Sequence, residues 1–210
     1  MRAWRRLCAA GLALGLAACS SFAPDKPVRA TLYDFGPGPV AAAAQRGTQP
    51  PIVLADLETP AALDTAALLY RLGYDDAHQL HPYSRARWSA PPGRLVEQRL
   101  REHLGRERVV LDLTQSAALA RSGGAMPRIL RIELAEFSHL FDSPKTSWGV
   151  VRMRATLADN TPAGERVVGQ RIFVQRQPAP TPDASGGVRA LTAATDAAAQ
   201  EIAAWVGQQH

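Results

Sequence analysis

Three consecutive segments near the C-terminal end alternate apolar and polar residues, and that alternation limits the folds open to the chain. Across residues 128–140, Leu130, Ile132 and Leu134 fall on one side, with Arg131 and Glu133 opposite. Residues 148–157 repeat the pattern, with Val151, Met153, Ala155 and Leu157 set against Arg152 and Arg154; residues 167–175 follow. The separators, 142–145 (DSPK) and 159–164 (DNTPAG), are short and rich in turn formers. Such spacing predicts an antiparallel meander with one packed face and one wet face.

Two helices are expected to cover the packed face. Pro92 is the expected first helical residue, because the preceding Pro91 is forced into an extended conformation. Leu95, Val96, Leu100 and Leu104 then recur at helical spacing, Gly105 stops the run, and Arg101 and His103 suit its negative end. Residues 178–187 (PAPTPDASGG) read as a flexible link. Beyond it Leu191, Ala194, Ala198, Ile202 and Trp205 mark the apolar stripe of a long, alanine-rich helix. Further strands are expected at 31–35, 52–56, 68–72, 79–83 (at an edge, because of Pro82) and 109–113. Residues 41–51 read as a mobile loop. Residues 116–127, containing Gly123 and Gly124, also read as a loop, although 117–121 has the composition of a helical turn. The expected class is α+β: an antiparallel or mixed sheet packed by a central amphipathic helix and a long C-terminal helix.

The N-terminus follows different rules. Arg2, Arg5 and Arg6 precede an apolar run over residues 7–18, the order of a secretory signal and too short for a span that needs roughly 20 residues. Leu16-Ala17-Ala18-Cys19 resembles the bacterial lipobox, which implies cleavage before Cys19 and acylation of that residue. Two or more acyl chains anchor stably where one does not. Ser20 stands where inner-membrane lipoproteins typically carry Asp, so by that analogy the anchor lies in the outer membrane, facing the periplasm. The expected organisation is a signal peptide (1–18), a lipidated tether (19–30) and one domain (31–210).

Charge and cysteine content narrow the functional classes. Of the formal net charge of +5, three units are the leader arginines, which leaves +2 and argues against nucleic-acid binding. The two cysteines are Cys8, in the leader, and Cys19, so the domain is expected to hold no disulfide and no cysteine-based nucleophile or metal site.

The ordered set Tyr70-Arg71, Leu80, Tyr83, Arg87-Trp88, Pro91-Pro92 and Leu95-Val96 resembles the ABC-type transport auxiliary lipoprotein component family. The lipobox, the late strand pair and the alanine-rich last helix agree with it. The 41–51 insertion departs from the pattern. The resemblance implies a non-catalytic outer-membrane lipoprotein. It would work with an inner-membrane ABC permease, or with a protein carrying mammalian-cell-entry (MCE) domains, to move lipids or other apolar molecules between membranes. It implies no cofactor. Self-assembly into a homo-oligomer is left open, and an autonomous lipid-binding carrier is the second reading.

Candidate site residues are few. Arg85, Arg87 and Trp88 suit a partner or lipid-headgroup patch; alternatively, Trp88 anchors the helix on the sheet while the arginines are solvated. His78 and His81 with Asp75 and Asp76 have metal-ligand residue types, but positions three apart on an extended segment point to opposite faces, and a polar turn is favoured. Neither a Gly-x-Ser-x-Gly nucleophile turn nor a phosphate loop is present in the sequence, and no carboxylate pair can be nominated.

Overall fold

The structure is a computed structural model that describes residues 29–38, 49–121, 126–161 and 163–209. The expected signal peptide, Cys19 with most of the expected tether, most of the 41–51 segment and the Gly123-Gly124 pair therefore lie outside the described residues.

The meander forms as the alternation requires. β6 (Arg128–Ser143), β7 (Thr146–Thr161) and β8 (Gly164–Pro178) pair antiparallel in sequence. Val151, Met153, Ala155 and Leu157 of β7 are buried, whereas Arg152 and Arg154 are exposed. One long edge of β6 is taken by β7. The other is shared end to end by two parallel strands, β2 (Ile52–Leu54) at Arg128–Leu130 and β3 (Ala67–Leu72) at His139–Phe141. Beyond β3 lie β4 (Asp76–Trp88) and then β1 (Thr31–Tyr33), and beyond β2 lies β5 (Val110–Leu111). The result is one mixed eight-stranded sheet.

Helix α1 (Pro92–Leu104) starts with Pro91 as its N-cap and Pro92 in the first helical position, and buries Leu95, Val96, Leu100 and Leu104. Its end is capped by Gly105, whose N–H donates to the Arg101 carbonyl at 2.9 Å. Helix α3 (Ala184–Gly207) lies over β7 and β8 and also packs on α1. Leu191, Ala194, Ala198, Ile202 and Trp205 are all buried, as their spacing predicts.

Four local expectations need correction. The 116–127 loop is, over its described part, mostly helix: α2 spans Leu113–Arg121. The Asp112 carboxylate accepts from Gln115 N–H at 2.7 Å, and the Gln115 side chain accepts from Asp112 N–H at 2.9 Å, a reciprocal capping box. The 109–113 segment contributes only the two half-buried residues of β5, with Val109 57% exposed. The short 79–83 strand is part of the thirteen-residue β4, whose register jumps twice against β3 so that extra residues bulge out; only Ala86–Trp88 pair on its outer side, with β1. Finally, residues 184–187 are the first turn of α3 rather than linker. Asp183 caps that turn, accepting from Gly186 N–H at 2.7 Å. Gly186 and Gly187 are there for proximity: a Cβ would sit 1.9 Å from Thr181 O at the first, and 2.4 Å from His139 Nδ1 at the second.

Candidate functional site

The residues of the Tyr-Arg motif tie the sheet together. Arg71 faces the open side of β3, where its Nε donates to Glu136 at 3.2 Å and its Nη1 to the carbonyls of Ala77 and His78. The guanidinium thus joins β6 to the beginning of β4. Tyr70 faces the packed side and meets His81, Tyr83 and Phe141, with ring centroids at 5.2, 4.7 and 6.0 Å. Tyr83 completes the cluster through a 2.8 Å hydrogen bond between its hydroxyl and His139 Nδ1.

His139 is fully buried, with the α3 backbone at Gly187 against its ring. Burial lowers its pKa from 6.5 to about 4, although the Asp183 carboxylate pulls the other way; burial also raises that of the Tyr83 phenol. The folded chain therefore keeps His139 neutral where an unfolded chain would protonate it. The His139 contribution to stability is expected to be complete above pH 6.5, to be lost as the pH drops from 6.5 to 4 and to change no further below that, with up to about 3 kcal/mol lost, while the lowered carboxyls of Asp159, Glu165 and Asp183 add a separate loss at lower pH. Urea titrations at a series of pH values check this: the fall should shrink markedly in His139→Asn. An equal fall in both chains would place the acid sensitivity elsewhere.

A second buried polar group joins α1 to α3. Arg99, 3% exposed, donates from Nη2 to the Phe35 carbonyl at 2.8 Å and pairs with Glu102 and Asp196 at 3.3 and 3.4 Å. His103 Nε2 lies 3.1 Å from the same Asp196 oxygen. Gly38 sits against the Arg99–Glu102 pair, where a Cβ would come 2.1 Å from Glu102 Oε2. Arg99 thereby straps the segment after β1 onto the helices. The nearby Thr192 and Thr195 hydroxyls donate to the Val188 and Leu191 carbonyls. Pro91 and Pro92 set the beginning of α1.

The three proposed patch residues separate. Trp88 is 1% exposed, with its ring 5.6 Å from both Phe35 and Phe137. It belongs to the core and is not part of a surface patch, because strand alternation turns Ala86 and Trp88 inward and Arg85 and Arg87 outward. The two arginines remain exposed, beside Leu32 of β1, which is in register with Arg87. His78 is exposed next to Asp76 at 3.2 Å, and His81 stacks on Tyr70 instead of approaching it. Among the described residues no group of three metal-ligating side chains converges.

Among the described residues, several hollows open at the surface, two of them sizeable. One, of about 380 Å³, lies between Pro50, Ile52, Met126 and Val206; its Arg128 side chain is held by Asp159 and the Gln209 carbonyl. The other, of about 530 Å³, lies beside Tyr33, Phe35 and Val188. Sequence reasoning missed His139 and Arg99, whose burial depends on distant segments, and also the 68% exposure of Leu32.

A mixed sheet with two helices on one face, an arginine-bearing open face, and histidines and threonines engaged in internal contacts defines an α+β domain. No helix among the described residues is long and apolar enough to cross a membrane. The chain belongs to the ABC-type transport auxiliary lipoprotein component family, whose pattern matches residues 33–203. The fold is similar to that of protein XCC0632 from Xanthomonas campestris (TM-score 0.66, 16% identity, covering 84% of this chain and 95% of that one). It is also similar to an uncharacterized protein (TM-score 0.59, 14% identity, 85% and 99%) and to the hypothetical protein CT253 from Chlamydia trachomatis (TM-score 0.50, 10%, 78% and 97%). Comparison with curated proteins finds no match.

Proposed function

We propose that this chain is a non-catalytic lipoprotein of the outer membrane, anchored through acylated Cys19 and facing the periplasm. There it couples to an inner-membrane ABC permease or an MCE-domain protein that moves lipids between membranes. The family match over residues 33–203, behind Leu16-Ala17-Ala18-Cys19, carries the reading. The engagement of Arg99, His103 and His139 in internal contacts supports a binding role over a catalytic one. Anchoring raises the effective concentration of a weak contact, so a modest interface suffices.

Intact mass of the membrane-extracted chain is expected to show cleavage before Cys19 and added acyl chains. Cross-linked membranes should yield a permease or MCE component together with this chain, and Cys19→Ala should abolish that recovery. A soluble Cys19→Ala chain that still supports full transport in cells would overturn the tethering.

A further inference from the structure

Most arginines on the open side of the sheet have an acidic partner. Arg71 pairs with Glu136, Arg131 with Glu165, Arg154 with Glu133, and Arg176 with Asp142. Among the described residues Arg152 of β7 has none, and neither do Arg85 and Arg87 of β4. Arg85 and Arg87 are both exposed, and among the described residues neither guanidinium makes an ion pair or a hydrogen bond. Leu32, 68% exposed, is in register with Arg87, so the two side chains leave the same face of the β1–β4 ladder. The nearest acid along β1, Asp34, accepts a hydrogen bond from Gly36 N–H at 2.8 Å.

We propose that this corner, made of Leu32, Arg85 and Arg87, docks on the anionic phospholipid headgroups of the membrane that carries the anchor. The inference rests on the Cys19 reading above and adds an orientation to it.

Its support is chemical and geometric. Unpaired guanidiniums are suited to phosphate oxygens, and a single exposed leucine among them can enter the boundary between headgroups and acyl chains. Location matters as much as charge, because the corner lies where the tether joins the domain: Thr31 is in register with Ala86, between the two arginines. Arg29 is ten residue steps from Cys19, which allows at most about 33 Å of reach. The corner is thus held within about four Debye lengths of the surface at physiological salt. A basic residue at an anionic surface favours the docked state by about fivefold, so the two arginines shift the docked-to-free ratio by about thirtyfold.

The test uses the full lipidated chain with a donor fluorophore at Ser84→Cys, floated with vesicles that carry an acceptor on a headgroup. Energy transfer is expected to be higher on phosphatidylglycerol-rich vesicles than on pure phosphatidylcholine. High salt should remove the difference, and Arg85→Glu with Arg87→Glu should lower the docked ratio at least tenfold. Arg85→Gln with Arg87→Gln should give an intermediate result and controls for folding. A chain that floats with both vesicle types and shows equal transfer overturns the docking and leaves the anchor intact. Failure to float with either type overturns the anchor, and the docking with it. Equal transfer on both vesicles, with the corner shielded only after an MCE-domain or permease component is added, assigns the patch to a protein partner and overturns the lipid surface.

Discussion

Trp88→Ala is expected to lower folding stability by about 3–5 kcal/mol, the cost of removing a large aromatic side chain from a packed interior. Its ring fills the space between Phe35 and Phe137, and Ala86 beside it is buried as well. A loss of that size is a large part of what holds an ordinary domain folded, since net stabilities are about 5–15 kcal/mol. Urea denaturation measures it directly. Trp88→Phe is the informative companion: the indole N–H has no hydrogen-bond partner, so phenylalanine loses volume but no bond, and about 1 kcal/mol is expected. A stable Trp88→Ala chain with weakened partner binding would return this residue to the surface role that its neighbours first suggest.

Gly149→Ala is expected to cost more than about 3 kcal/mol, although it adds a single methyl group. An added Cβ would lie 2.4 Å from the backbone carbon of Ala190 and from the backbone nitrogen of Leu191. Both atoms belong to helix α3, so no side chain can rotate to make room, and the helix must lift from β7. Overpacking of this kind commonly costs about 1–3 kcal/mol, and more where the obstacle is rigid backbone. Gly169→Ala provides the control. Its nearest neighbour is the Trp205 ring at 3.4 Å, and less than about 1 kcal/mol is expected. Thermal melts of the two variants side by side should separate them clearly; similar melting temperatures would mean that α3 does not press on β7 at this point.

Local signals made much of the fold legible. The alternation along β6 to β8 and the Leu95, Val96, Leu100, Leu104 spacing of α1 each encode a face, and tertiary structure had only to supply the matching one. Helix α2 was misread because its apolar residues do not form a buried stripe; Leu113 is 43% exposed. The signal that could have found it was the Asp112–Gln115 capping box. Gly186 and Gly187 misled for the opposite reason: composition suggests freedom, whereas they answer to Thr181 and His139, far or near in sequence but close in space. No local pattern could show that β2 and β3 lie end to end along β6, since that arrangement depends on pairing across long separations. The candidate site divides in the same way. Arg85 and Arg87 can be picked out from sequence, but the absence of acidic partners becomes visible only when the sheet has been assembled.

The placement of β1 has a mechanical consequence. This edge strand holds to β4 through three residue pairs and, among the described residues, is the first element that a pull on the N-terminus would load. After it, the next described strand bonded into the sheet begins at Ile52. Peeling β1 away, together with the Phe35 strap, would lengthen the leash from Cys19 to about 110 Å at full extension, while the meander and both large helices stay in place. A force too small to unfold the domain could therefore change how far from its lipid anchor it can work.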